Sequence, residues 1–257
     1  MFEALLGNGI LLKKIIESIK ELVTEVNLEV TGEGISIQAM DASHVALVAL
    51  NLRAEHFDEY RCDRPQTLGV SINNLSELMK IAGNDDSITL RADDEATTLT
   101  LIFQGKREEK VSEFNLNLMT LDSEHLGIPD QEYGAVVGMS SAEFSRICRE
   151  LTQITDTLNV SVDKESVKFA VSGDMGAGSI TLKPNDSDKT EEKLTMRVSE
   201  PLSMAFALRY LNLFNKASCL TDEVGISLSA DIPIMLQFGF DIGELKYYLA
   251  PKIADEN

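Results

Sequence analysis

The sequence predicts an α+β protein made of two similar domains, each an antiparallel sheet with two helices. Three observations carry this. Residues 12–40 laid without a gap on residues 144–172, an offset of 132, bring apolar positions onto apolar positions. Within each copy the apolar spacing changes from helical to alternating, so a helix hands over to a hairpin. Between the copies, residues 116–133 lose periodicity around Gly127-Ile128-Pro129 and read as a connector. The expected division is a first domain over 1–117, a connector over 118–134 and a second domain over 135–257.

The first helix, residues 11–24, puts Leu12, Ile15, Ile16, Ile19, Leu22 and Val23 on one side and Lys13, Lys14, Glu17, Lys20 and Glu21 on the other. Val26, Leu28 and Val30 then alternate, Thr31 to Gly34 turn the chain, and Ile35 and Ile37 continue the hairpin. A strand over 67–72, a short helix holding Lys80 and a strand over 88–92 complete the copy. In the second copy Phe144, Ile147, Cys148, Leu151 and Ile154 face inward, while Arg146, Arg149 and Gln153 face outward. Leu158, Val160 and Val162, a turn at Asp163 to Ser166, then Val167 and Phe169 repeat the hairpin. A strand over 202–208, a helix holding Lys216 and a strand over 226–230 follow. The polar stretch 184–193 reads as a mobile surface loop. The glycine-rich run 173–178 leads into a strand over 179–183, with neither a following helix nor a Lys-Ser/Thr ending. It suits a sheet edge approached by another subunit better than a nucleotide loop.

No apolar run approaches the ~18 residues of a membrane span, and the first residues lack the basic n-region of an export signal, so a soluble protein is expected. Cys62, Cys148 and Cys219 lie too far apart for a zinc motif and suggest no disulfide framework. His44, His56 and His125 have no metal-ligand spacing, so neither metal nor cofactor is expected. Asp85, Asp86, Asp93 and Asp94 could serve a metal-dependent nuclease, but they flank a strand at its turns, where solvated acids are ordinary. The net charge of −19 argues against nucleic acid, yet residues 11–24, 73–81, 143–155 and 209–217 together carry +3, which leaves −22 elsewhere. The helices are the basic part of an acidic chain.

Segments spread end to end now carry a family resemblance: MFEA at the start, LKK at 12–14, MDASHVALV at 40–48, FDEYRCDR at 57–64, LGIPDQEY at 126–133, ALRYLN at 207–212 and LKYYLAPKI at 245–253. The chain resembles the eukaryotic proliferating cell nuclear antigen family of DNA sliding clamps over its whole length. The resemblance implies the clamp fold in a closed homotrimeric ring, helices lining the hole, nuclear localisation and no enzymatic activity. A specialised checkpoint clamp, forming a heteromeric ring, is the alternative within the same resemblance. Implied partners are double-stranded DNA without sequence preference, DNA polymerase, clamp loader, flap endonuclease, DNA ligase and other proteins bearing a PIP-box peptide.

Carried over by position, the implied DNA-facing residues are Lys13, Lys14, Lys20, Lys80, Arg146, Arg149, Arg209 and Lys216, with Glu77 standing where the family commonly has lysine. The implied client groove comprises Met40, His44, Val45, Leu126, Ile128, Pro129, Tyr133, Pro233, Tyr248, Ala250, Pro251 and Ile253. Phe114 and Leu116 against Gly178 and Ile180 form the implied subunit interface, through a strand over 109–117 and one over 175–183. Lys164 matches the family's ubiquitin-type modification site, and Gly127 stands where some relatives carry a second modifiable lysine.

Overall fold

The computed structural model describes residues 1–106, 110–122, 132–185, 187, 189 and 193–252. Two compact units form, one from Met1–Ala42, Val48–Leu126 and Phe240–Leu245, the other from Ser43–Leu47, Gly127–Gly239 and Lys246–Asn257. In chain order the first copy holds β1 (Phe2–Leu6), α1 (Gly9–Ile19), β2 (Glu25–Thr31), β3 (Gly34–Met40), β4 (Ala46–Arg53), β5 (Glu59–Cys62), β6 (Gln66–Ser71), α2 (Ile72–Met79), β7 (Ser87–Ala92), β8 (Thr98–Gln104) and β9 (Val111–Asn117). The second holds β10 (Ala135–Ser140), α3 (Ser141–Leu151), β11 (Thr157–Val162), β12 (Val167–Gly173), β13 (Gly176–Leu182), β14 (Thr195–Val198), β15 (Leu202–Ala207), α4 (Leu208–Phe214), β16 (Glu223–Leu228), β17 (Ile234–Phe240) and β18 (Gly243–Leu249).

The first copy arranges its strands as β5-β1-β7-β8-β9 and β4-β3-β2-β6. The second repeats this as β14-β10-β16-β17-β18 and β13-β12-β11-β15. The duplication extends to single hydrogen bonds. At the start of α1 Gly9 N–H donates to Asp86 O (3.2 Å), and at the start of α3 Ser141 N–H donates to Asp222 O (2.9 Å). Likewise Ile72 N–H donates to Thr24 O and Leu208 N–H to Asp156 O, both at 2.8 Å, where α2 and α4 begin. Each bond satisfies one of the four N–H groups that a helix start leaves without an internal partner.

Every apolar residue matched between the copies is buried except Ile154, which is half-buried. Helix α1 ends at Ile19, earlier than the 11–24 expected, but Leu22 and Val23 both donate to Ile19 O and stay buried, so the apolar pattern outruns the helix. Lys80 lies just past α2 as its C-cap, and Lys216 sits in a 3-10 turn, Asn215–Cys219, after α4. The glycine-rich run is itself a hairpin turn. Gly173 ends β12 opposite Gly176, whose φ of 147° is a conformation that side chains resist. The 184–193 loop is partly pinned by a bridge from Asn185 to Leu194, while 186, 188 and 190–192 lie outside the described residues.

Candidate functional site

The cations of α1, α3 and α4, and Lys80 at the end of α2, lie off the buried helix faces. In α1 the buried face is Leu12, Ile15, Ile16 and Ile19, and Lys14 is exposed. The Lys13 ammonium donates to Ala82 O at 2.7 Å and so ties α1 to the segment after α2. Lys20 bonds Glu17 at 2.6 Å, and Glu17 also accepts from Ser76 Oγ on α2 at 2.8 Å. Partial burial pushes the Glu17 carboxyl up, but bonds from Lys20 and Ser76 outweigh it and hold the group below its ordinary value.

Lys80 bonds Glu77 at 2.5 Å, and that bond holds its ammonium above the ordinary lysine range. Helix α3 is capped by Ser140, whose hydroxyl accepts from Glu143 N–H. The Glu143 carboxylate takes Arg146 on both oxygens, at 2.6 and 2.8 Å, which raises the guanidinium's pKa. Arg209 lies with Cζ 4.8 Å from the Tyr210 ring centroid. Among the described residues Lys14 and Arg149 make no ion pair and stand exposed. Sequence reading missed that Glu17, Glu77 and Glu143 each sit three residues before a cation, a spacing visible in the chain itself.

A second feature is the state of the sheet edges. β4 and β18 have neighbours on both sides, and the end strands are β5, β9, β14, β6, β13 and β15. Met119 N–H bonds Gly69 O (2.9 Å) and covers β6, while Lys252 N–H bonds Ala205 O (2.8 Å) over β15. β5 and β14 are four residues each and carry charge, which blunts an edge. β9 and β13, seven residues each, are the long edges left uncovered among the described residues.

Of the expected interface residues, Phe114 is half-buried and packs on Phe103 with centroids 5.7 Å apart. Leu116 is only 6% exposed, so its side chain serves its own unit and β9 offers backbone at that point. Gly178 and Ile180 are half-buried on β13. Ile154, which sequence reading assigned to the core, leans toward the same edge: a Cβ on Gly178 would meet its Cδ1 at 3.2 Å.

The expected client residues fall partly together. β10 begins beside the end of β16, and Gly134 N–H donates to Ser229 Oγ at 2.6 Å. The β17 start and the β18 end lie at that same end of the sheet, because β16, β17 and β18 run back and forth. Topology therefore gathers Tyr133, Pro233, Tyr248, Ala250 and Pro251 at one end. Val45 joins them, its carbonyl accepting from Ala250 N–H at 3.0 Å, beside exposed His44 in a left-handed conformation (φ 56°). Tyr247 is buried, stacked on Phe214 at 4.5 Å, so Tyr248 projects from the opposite strand face. Met40 ends β3 in the first unit, half-buried; Leu126, Gly127, Ile128, Pro129 and Ile253 lie outside the described residues.

Lys164 is exposed in a turn whose Asp163 carboxylate accepts from Glu165 N–H and Ser166 N–H, both at 2.8 Å. Those bonds hold the Asp163 carboxyl below the usual carboxylate range. Three of the four acids weighed for metal are engaged at turns: Asp86 accepts from Gly83 N–H, Asp85 from Lys106 and Asp94 from Arg64 and Gln66. No helix among the described residues is long and apolar enough to cross a membrane.

Family comparison agrees in both halves. Residues 1–125 match the model described as Proliferating cell nuclear antigen, N-terminal domain, and residues 127–252 match Proliferating cell nuclear antigen, C-terminal domain.

Proposed function

We propose that this chain, which belongs to the proliferating cell nuclear antigen family and is a DNA sliding clamp of that type, closes as a homotrimer around duplex DNA. In the nucleus it tethers polymerase, clamp loader, flap endonuclease, ligase and other PIP-box proteins through the groove around Val45, Tyr248 and Pro251. The observation that carries this reading is the outward placement of Lys14, Lys20, Lys80, Arg146, Arg149, Arg209 and Lys216 in an otherwise acidic protein. DNA presents a charge every ~1.7 Å of axis, so long mobile cations on a smooth helix face attract the backbone without reading bases. The acidic remainder keeps the attraction weak, and closure rather than affinity retains the DNA.

Ring closure is supported by the two uncovered edges, β9 and β13. The groove needs no chemistry of its own: it raises a client's local concentration at the primer end. Lys164, held out on its Asx turn, is the proposed site for ubiquitin. The test replaces Lys20, Lys80, Arg149 and Lys216 by Glu. Loss of processive synthesis on primed circular DNA, with trimer mass and client-peptide binding kept, is the expected result. Wild-type activity of that variant would overturn the reading.

A further inference from the structure

Three of the four helices share a local device that the expected function does not require. Glu17 with Lys20, Glu77 with Lys80 and Glu143 with Arg146 are ion pairs at a spacing of three residues, at 2.6, 2.5 and 2.6 Å. Each carboxylate lies on the face assigned to DNA. Glu17 is further fixed by Ser76 Oγ, so Lys20 is bound to a partner that α2 holds in place. We propose that Glu17, Glu77 and Glu143 act as brakes on DNA affinity, occupying the cations so that a phosphate engages each one only by displacing a carboxylate. This rests on the helix faces meeting DNA.

The physical case is one of competition. An exposed ion pair is worth little, about the energy of a fivefold change in affinity or less, so DNA can displace it while each displacement weakens the hold. A cation that stays paired with its carboxylate neutralises no phosphate and releases none of the counterions condensed on the DNA, which flattens the salt dependence of binding. Weak, shallow binding suits a ring that must travel. Lys14 and Arg149, unpaired among the described residues, remain as direct contacts. The competing explanation is that these are ordinary helix-stabilising pairs. It expects Glu→Gln changes to affect stability alone.

The experiment measures binding of the intact ring to a short fluorescent duplex by anisotropy across a salt series, with trimer mass verified for every variant. Glu77→Gln with Glu143→Gln is the test variant; Glu17 is spared because it joins α1 to α2. Glu150→Gln is the charge-matched control, on the same helix and felt by Arg146 but making no ion pair among the described residues. The expected result is tighter binding, by up to about fivefold for each freed cation that meets a phosphate. The slope of log affinity against log salt steepens by about 0.9 for each such contact. Equal gains for Glu143→Gln and Glu150→Gln would reduce the effect to net charge and overturn the proposal. No gain for the test variant, while the fourfold Lys/Arg→Glu variant loses binding, would overturn it and leave the DNA face standing. If the fourfold variant binds like wild type, the DNA face itself falls, and the brakes with it.

Discussion

Gly69→Ala tests how the chain closes the β6 edge. A Cβ at Gly69 would lie 2.1 Å from Met119 O, against the ~3.5 Å of ordinary contact, so the strand or the segment crossing it must move by more than 1 Å. Such a shift breaks Met119 N–H to Gly69 O and strains Leu118 N–H to Thr97 O, both now 2.9 Å. Two net hydrogen bonds are worth about 2 kcal/mol, offset by the ~0.5 kcal/mol that alanine gains through a less flexible unfolded chain. The expected cost is therefore about 1–2 kcal/mol, read as a lower urea midpoint at unchanged slope. Hydrogen exchange at the Leu118 and Met119 amides rises with it. Gly225→Ala is the matched control: its Cβ meets nothing closer than Gln237 Cβ at 3.8 Å, so that variant gains about 0.5 kcal/mol or stays neutral. A Gly69→Ala protein as stable as Gly225→Ala, with the two amides still protected, would refute the argument.

Phe114→Ala removes an aromatic from the open edge β9 and is expected to weaken the proposed trimer by about 2 kcal/mol, seen as dissociation in mass measurements at nanomolar subunit. An intact trimer at that dilution, three times 28.3 kDa, would place the interface elsewhere. Burial pushes the Cys148 thiol up to about 12, whereas Cys219 is exposed. At pH 8 a thiol reagent should modify Cys219 rapidly and Cys148 only after urea; comparable rates would contradict the packing beneath α3. Ile128→Ala and Tyr248→Ala should each weaken a PIP-box peptide by about 2 kcal/mol in calorimetry, with non-additive effects in the double variant. Wild-type binding by both single variants would mean the groove is misplaced.

Much of this architecture was legible because its signals are local. Leu12, Ile15, Ile16 and Ile19 announce a helix face by spacing alone, and the same spacing 132 residues on announces the duplication. What stayed hidden depends on contacts distant in sequence. Nothing near Lys13 indicates that its ammonium ends on Ala82 O, and nothing near Glu17 points to Ser76. Tyr247 and Tyr248 are chemically alike, so the choice of which enters the core waits on the strand's register against Phe214 and Phe238. Ile154 matched a buried position in the other copy, yet it sits at the rim of a sheet whose edge strand is open. The glutamates paired along the helices were readable but looked like ordinary surface charge, and only their shared face gives them a joint meaning.

The open edges also constrain how copies can assemble. An exposed strand invites pairing, and natural proteins normally suppress that with lysine, proline, shortness or a cover. β13, Gly176-Ala-Gly-Ser-Ile-Thr-Leu182, has none of these among the described residues, and the lone charge on β9, Glu113, already faces Arg91 at 3.7 Å. Both edges belong to one chain but to different sheets, one of five strands and one of four. Pairing β9 of one copy with β13 of the next is thus heterologous, and each copy that joins presents a fresh β9 or β13. Such a contact ends only when rotation brings the last edge back to the first, producing a ring, or never ends, producing a filament. Pairing of β9 with β9 would stop at a dimer and leave both β13 edges bare. The proposed ring would satisfy β9 and β13 at once, which would account for why these two edges, among the described residues, stay long, uncovered and nearly uncharged.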